Sequence, residues 1–350
     1  MPPLLIDPTT QRYRALIGTG GIGAGSFFAL DGNHTLGREE SRTGRFLPNR
    51  DYAKLHIISH YVQTLMGPGF TTLPIGRVGD DEAGHRLCSE MRSVGMNLRH
   101  VRALEDAQTM NCICLLYPDG SGGNLTVGDS ACNRLDAAAV REAEPDFAAF
   151  QELGIALAVP EVPLVARAEV LALGTRYGCF RVASFTSGEM KDPAITSLLE
   201  MVDLLVLNSG ESAAFAELPE DTPPDRVAEL ALNRVRSINP QTHVVVTAGA
   251  KGSWAWDGAQ LMHAPALDVT AVSAAGAGDA FLAGVLTGLA AGVDLDAAQQ
   301  LGSLTGAVSV TSPHTINFDI DRTSLASLAN ESRLAISTGL GRILFEDQTQ

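Results

Sequence analysis

The sequence predicts an α/β protein: a doubly wound, mostly parallel sheet with helices on both faces and a small β lid. Short apolar runs of strand length alternate with helical patterns along most of the chain, as expected of helices crossing over between buried parallel strands. Hydrophobic residues make up 45% of the chain but aromatics only 5%, and there are 35 glycines, a composition that lets helices lie close against a sheet. One polar segment, Ser26–Arg50, breaks the alternation.

Tyr13–Ile17 is the first strand and runs into a glycine cluster. Phe27–Leu30 and His34–Leu36 then alternate in short stretches, so Ser26–Arg50 is expected to fold as a hairpin or small sheet, placed to form a lid. Tyr52–Met66 reads as a helix carrying Lys54, His56, His60 and Gln63. Thr71–Ile75 is a second strand, Gly76–Gly79 a turn, and Asp81–Val94 a helix stopped by Gly95. Met110–Tyr117 is a strand leading into the turn Pro118-Asp119-Gly120. The second half repeats the rhythm more cleanly. Gly154–Val159, Cys179–Ser184, Leu204–Leu207 and Val244–Thr247 suit buried strands, with helices at Pro163–Leu173, Pro193–Met201, Arg226–Ile238, Ala277–Ala291 and Leu295–Ser309. The expectation is one domain over residues 1–350, with residues 26–50 inserted in it as the lid.

A formal net charge of −15 repels a phosphate backbone and argues against nucleic-acid binding. The N-terminus lacks the basic start and apolar stretch of a secretory signal, and no apolar run approaches the roughly 20 residues that span a bilayer, so a cytoplasmic location is expected. The five cysteines include no CxxC pair; Cys112 and Cys114 share a strand face, and buried reduced thiols are expected. His56 and His60 lie four apart on one helix face. With no third ligand nearby in sequence, they are expected to be hydrogen-bonded or solvent-facing.

Val272–Gly284 carries the chemistry. Gly276-Ala277-Gly278-Asp279 opens an Ala/Leu-rich helix. Small residues there leave free N–H groups at a helix N-terminus, which attract a transferring phosphoryl group. Asp279, on the same turn, can take a proton from an attacking hydroxyl. The same residues also serve as an ordinary helix start.

This stretch resembles the Asp-Thr-x-Gly-Ala-Gly-Asp motif of the ribokinase-like, or PfkB, carbohydrate and nucleoside kinases, with Phe281 and Gly284 following as in that family. The resemblance implies that Asp279 is the catalytic base and that Gly276, Ala277 and Gly278 form the anion hole. Asn208-Ser209-Gly210-Glu211 resembles the family's Asn-x-x-Glu, which implies that Asn208 and Glu211 organise Mg²⁺ through water; the same spacing also fits a helix capping box. Thr247–Gly252 resembles the Thr-x-Gly-x-x-Gly nucleotide loop, so Thr247, Gly249 and Gly252, with Ala275, become candidate ATP contacts, the adenine lying between that loop and Ala307–His314. Ile75–Gly84 resembles a further family segment, read as a strand end and helix start. These stretches follow the family order over roughly residues 70–312.

The chain departs from the family at several points. Ser273 and Ala274 replace the leading Asp and Thr. The glycine cluster Gly18–Gly25 lacks the usual acceptor-binding carboxylate, and the Gly-Gly-x-x-x-Asn before the next helix is absent. Gly20, Gly21, Asp31 and Asn33 are the candidate substrate contacts. The implied activity is transfer of the ATP γ-phosphoryl, with Mg²⁺, to a hydroxyl of a sugar or small polyol, a nucleoside being open as acceptor. Lids of relatives can pair between subunits, which allows a homodimer. Two rival readings stand beside it. Gly18-Thr19-Gly20-Gly21-Ile22-Gly23 fits the dinucleotide fingerprint of an NAD-dependent oxidoreductase, if a helix begins there. The altered N-terminal third also fits a non-catalytic ligand sensor.

Overall fold

Strand β1 (Ala15–Thr19) is buried throughout and pairs in parallel on both edges. On one side lies β4 (Thr71–Gly79), then β5 (His100–Leu104). On the other lie β8 (Gly154–Ala158), β9 (Phe180–Ala183), β10 (Leu204–Asn208) and β11 (His243–Thr247), all parallel. The antiparallel strands β12 (Ser253–Trp256) and β13 (Leu261–Ala264) close that edge. The result, in a computed structural model that describes residues 1–119, 122–219, 221–332 and 334–345, is a nine-stranded sheet in the order β13-β12-β11-β10-β9-β8-β1-β4-β5. The chain builds outward from β1 in one direction, then returns to build in the other. The strand order therefore reverses between β1 and β8, and in such sheets ligands bind outside the carboxyl ends of the strands at that point.

Side chains along the central strands go alternately to two apolar layers. Leu16, Ile155 and Leu157 join the helices Lys54–Met66, Ala277–Ala291 and Leu295–Ser309. Ala15, Ile17, Ala156 and Ala158 join the opposite layer with Leu164–Tyr177 and Pro224–Ile238. This period-two alternation explains the continuous apolar runs: both faces are covered.

The segment that breaks the pattern folds with a second one. Strands β2 (Gly23–Leu30) and β3 (Gly44–Tyr52) form the expected antiparallel hairpin, and β6 (Met110–Leu116) and β7 (Gly122–Thr126) extend it to a four-stranded sheet in the order β3-β2-β6-β7. Gly120, part of the expected turn before β7, lies outside the described residues. His34–Leu36 is not a strand but part of the exposed connection between β2 and β3.

The helices Ala277–Ala291 and Leu295–Ser309 have the expected bounds. The expected turn at Gly76–Gly79 is instead the end of β4, because β5 pairs with Ile75–Gly79 and supplies a ladder partner not apparent locally in sequence. The chain turns afterwards, where Asp81 caps the helix Glu82–Ser93 by accepting from the Gly84 N–H at 2.8 Å. The glycine cluster leads into β2, so no helix starts on Gly18–Gly23 and the dinucleotide-fingerprint reading fails. His56 and His60 also differ from expectation. Both are 1% exposed, and none of their four ring nitrogens has a hydrogen-bond partner. They pack instead edge-on against Tyr52 (4.9 Å) and Phe318 (5.2 Å), and burial pushes them down to about 3 and about 4. The five cysteines are buried and free, as expected.

Candidate active site

The carboxyl ends of the parallel strands deliver the polar residues. β8 leads through Pro160 to Glu161, β10 ends at Asn208, and β11 ends at Thr247, paired directly with Asn208. Over these ends lies the start of the helix Ala277–Ala291. Gly276, its N-cap, has φ 80°, and a Cβ there would sit 2.7 Å from the Thr315 carbonyl oxygen, so only glycine fits. The turn is tightened by the Ala277 N–H donating to Ala274 O at 3.3 Å and the Ala275 N–H to Ser273 Oγ at 3.4 Å. Ser273 thus supports the loop where the family has Asp. The bond to Ala274 occupies the Ala277 amide, one of the three expected anion donors. The amides of Gly276 and Gly278 remain as donors, with the positive end of the helix dipole behind them.

This turn separates two cavities. One, of about 340 Å³, is lined by Gly249, Gly252, Ala274, Gly278, Ala307 and Val310 among others. It lies between the expected nucleotide loop and the last helices. The other, of about 690 Å³, is lined by Asp279, Lys54, Glu161, Asp51, Gly276 and the inner face of the small sheet. Gly278 faces the first and Asp279 the second. An anion held at the turn would therefore be reachable from both sides.

Lys54 Nζ lies 3.4 Å from Asp279 Oδ1, and the Asp279 carboxylate is the main cause that pushes the Lys54 ammonium up, against the effect of burial. Glu161 has φ 78°, in the left-handed region, and its Oε2 accepts from the Lys54 N–H at 2.9 Å at the start of the helix Lys54–Met66. Burial pushes Glu161 up to about 7, against the pull of the Lys54 charge. A non-glycine residue held at positive φ in a cleft is the kind of strain that gathers at functional sites.

Asn208 and Glu211 form a reciprocal capping box: Asn208 Oδ1 accepts from the Glu211 N–H, and Glu211 Oε2 from the Asn208 N–H, both at 2.8 Å. The structural role and a role toward a cation are compatible. Glu211 is pushed up first by burial, against the Asn208 N–H bond and the Lys54 charge, and neither it nor Asn208 lines either cavity. Its second oxygen is an oxygen donor of the kind a hydrated Mg²⁺ takes.

Not every expected residue reaches this cleft. Asp31 and Asn33 lie at the exposed tip of the β2–β3 hairpin, where Asp31 accepts from Thr43 Oγ1 and Asn33 from the Asp119 N–H. They line neither cavity. His314 lies outside the smaller cavity, its Nδ1 accepting from the Arg50 N–H at 2.9 Å. Gly20 and Gly21 are buried beside Glu161: the Gly21 N–H donates to Pro160 O at 3.0 Å. Glu161 and Asp51 line the larger cavity, and the sequence singles out neither. Glu161 carries a usable signal, since it follows a buried strand as Asn208 and Thr247 do.

The chain belongs to the pfkB family carbohydrate kinases, whose family model matches residues 63–322. It is 28% identical over 234 residues to fructoselysine 6-kinase of Shigella flexneri, covering 67% of this chain and 80% of that one. It is 29% identical over 253 residues to 2-dehydro-3-deoxygalactonokinase of Haloferax volcanii, covering 68% and 75%. Its fold matches that of the ribokinase from Cryptococcus neoformans solved in complex with ADP, with a TM-score of 0.73 at 19% identity, over 92% of this chain and 100% of that one. The chain is thus a ribokinase-like sugar kinase. No helix among the described residues is long and apolar enough to cross a membrane.

Proposed function

We propose that the chain moves the γ-phosphoryl of ATP to a hydroxyl of a sugar or related small polyol, with Asp279 as general base. The observation that supports this most is the meeting of two cavities at the Gly276–Asp279 turn. The smaller takes the nucleotide, its adenine between the Thr247–Gly252 loop and Ala307–Val310. The larger takes the acceptor. The amides of Gly276 and Gly278 stabilise charge on the transferring group, and positioning and electrostatics supply most of the acceleration. Asp279 accepts the hydroxyl proton, and Lys54 beside it keeps a positive charge where negative charge gathers. Glu211, with Asn208, would hold hydrated Mg²⁺, which screens the phosphate charges when bound.

The small sheet covers the acceptor and keeps water from the phosphoryl group. Its outward face exposes Phe46, Ile113 and Leu125, at 63, 37 and 60%. That apolar face fits a second copy of the chain, which supports a homodimer. ADP release is measured with Mg-ATP and a panel of acceptors: fructoselysine, 2-dehydro-3-deoxygalactonate, fructose, ribose and adenosine. Acceptor-dependent turnover with one sugar is the expected result. Tight binding of an acceptor with no transfer to any would favour the sensor instead.

A further inference from the structure

Asp51, Cys112 and Cys114 gather on the wall of the larger cavity, and nothing in the phosphoryl transfer uses them. Asp51 Oδ2 lies 2.8 Å from Cys112 Sγ and 3.2 Å from Cys114 Sγ. All three potential ligand atoms fall within 4.8 Å of one another, and the residues are 7, 7 and 8% exposed. The sheet register explains how they meet. Gly25 on β2 is the cross-strand partner of Asp51 on one side and of Cys112 on the other. A Cβ on Gly25 would come within 2.4 Å of both Asp51 Oδ2 and Cys112 Sγ. Its missing side chain lets the carboxylate and the thiol converge over β2. Cys114, two residues along β6, points to the same face.

We propose that Asp51, Cys112 and Cys114 form a site for one soft divalent cation of the zinc class, with the remaining coordination position open to the cavity. Two thiolates and a carboxylate are a zinc-type donor set, and three protein ligands with a fourth position open is the arrangement of sites that exchange a water or ligand there. Tetrahedral zinc, with Zn–S about 2.3 Å and Zn–O about 2.1 Å, sets its ligand atoms roughly 3.6–3.8 Å apart. Both carboxylate–sulfur distances are a few tenths of an ångström to about 0.8 Å shorter than that and all three atoms lie within 4.8 Å, so a small outward rotation of the side chains would admit the ion. On binding, each thiol gives its proton to solvent and both sulfurs coordinate as thiolates. Hard Mg²⁺ has no preference for such a site, so the cation beside the phosphates and this one would be held by different chemistry.

The test uses the metal alone and needs no acceptor or ATP. The purified full chain is stripped with a chelator and titrated with Zn²⁺ by calorimetry, and separately with Co²⁺ followed by absorption. The expected result is uptake of one Zn²⁺ per chain and a thiolate-to-Co²⁺ charge-transfer band in the near ultraviolet. A Cys112→Ser/Cys114→Ser variant, its folding checked by circular dichroism, should lose the band and bind Zn²⁺ at least 100-fold more weakly. Asp51→Asn should keep the band and weaken uptake. The proposal is overturned if the stripped chain takes up no Zn²⁺, if Co²⁺ gives no thiolate band, or if the double-serine variant binds as tightly as the parent. The first two results come from the parent chain, so they hold whether or not the variant folds.

Discussion

Asp279→Asn removes the proposed base while keeping the size and shape of the side chain. A positioned general base contributes about 10²–10⁴ in rate. That corresponds to roughly 2.7–5.4 kcal/mol of barrier. The structural losses act on stability and are read separately from the rate. Asp279 sits at the third position of the helix Ala277–Ala291, where its charge faces the helix dipole; losing that contact costs about 0.3–1 kcal/mol. Its ion pair with Lys54 spans 3.4 Å between largely buried side chains; removing one partner of a buried pair costs up to about 3–5 kcal/mol, and the Glu161 charge that also acts on Lys54 offsets part of that loss. Together these lower the melting temperature by several degrees while leaving the chain folded at assay temperature. The expected outcome is therefore a fall in kcat of at least about 100-fold in a fully folded protein. ADP release under saturating acceptor measures the rate, and thermal melting measures the fold. ATP affinity, followed by calorimetry, should hold within a few-fold, because the amide donors stay in place. A folded variant with kcat within tenfold of the parent would refute the assignment of Asp279 as base.

Gly276→Ala should destabilise the chain by roughly 1–3 kcal/mol and depress turnover, since alanine disfavours φ 80° and its methyl would press on Thr315; urea unfolding and ADP release check both. Glu211→Gln can still cap the helix through its amide oxygen, so stability should hold within about 0.5 kcal/mol. The Mg²⁺ concentration for half-maximal activity should rise several-fold, and an unchanged Mg²⁺ dependence would remove Glu211 from the cation site. His56 and His60 stay neutral when folded but take up protons near 6.5 when unfolded, so their contribution is present above that value and is lost as pH falls toward about 3 and about 4. The slope is about 1.4 kcal/mol per pH unit for each histidine, and a His56→Leu variant should show a shallower loss in urea unfolding between pH 6.5 and 5. Glu161 has the opposite sign: its folded pKa of about 7 lies above the ordinary 4.5, so its contribution is present at low pH and is lost as pH rises through about 7. Glu161→Gln should flatten the stability profile over that window.

The sequence by itself determined the layered α/β architecture, because strands buried on both faces must be apolar at every position, and Leu204–Leu207 or Val244–Val246 can hardly be anything else. It also marked the proposed phosphate turn, since Gly276-Ala277-Gly278-Asp279 contains in four consecutive residues the tight turn, the helix-start amides and the carboxylate. Asn208-Ser209-Gly210-Glu211 was legible for the same reason: both partners lie within one helical turn. The tertiary structure alone decided what faces that turn. Lys54 and Asp279 are 225 residues apart, Lys54 and Glu161 are 107 apart, and Asp51 and Cys112 are 61 apart. No local period or spacing encodes such meetings. They depend on which strand neighbours which, and on Gly25 lying in register between Asp51 and Cys112. The same dependence misplaced Asp31 and Asn33, whose polar turn looks like a binding loop but which the hairpin carries away from the cleft to its exposed tip. Short-range chemistry is written in consecutive residues, whereas the wall of the larger cavity is assembled from strands whose pairing only the folded sheet fixes.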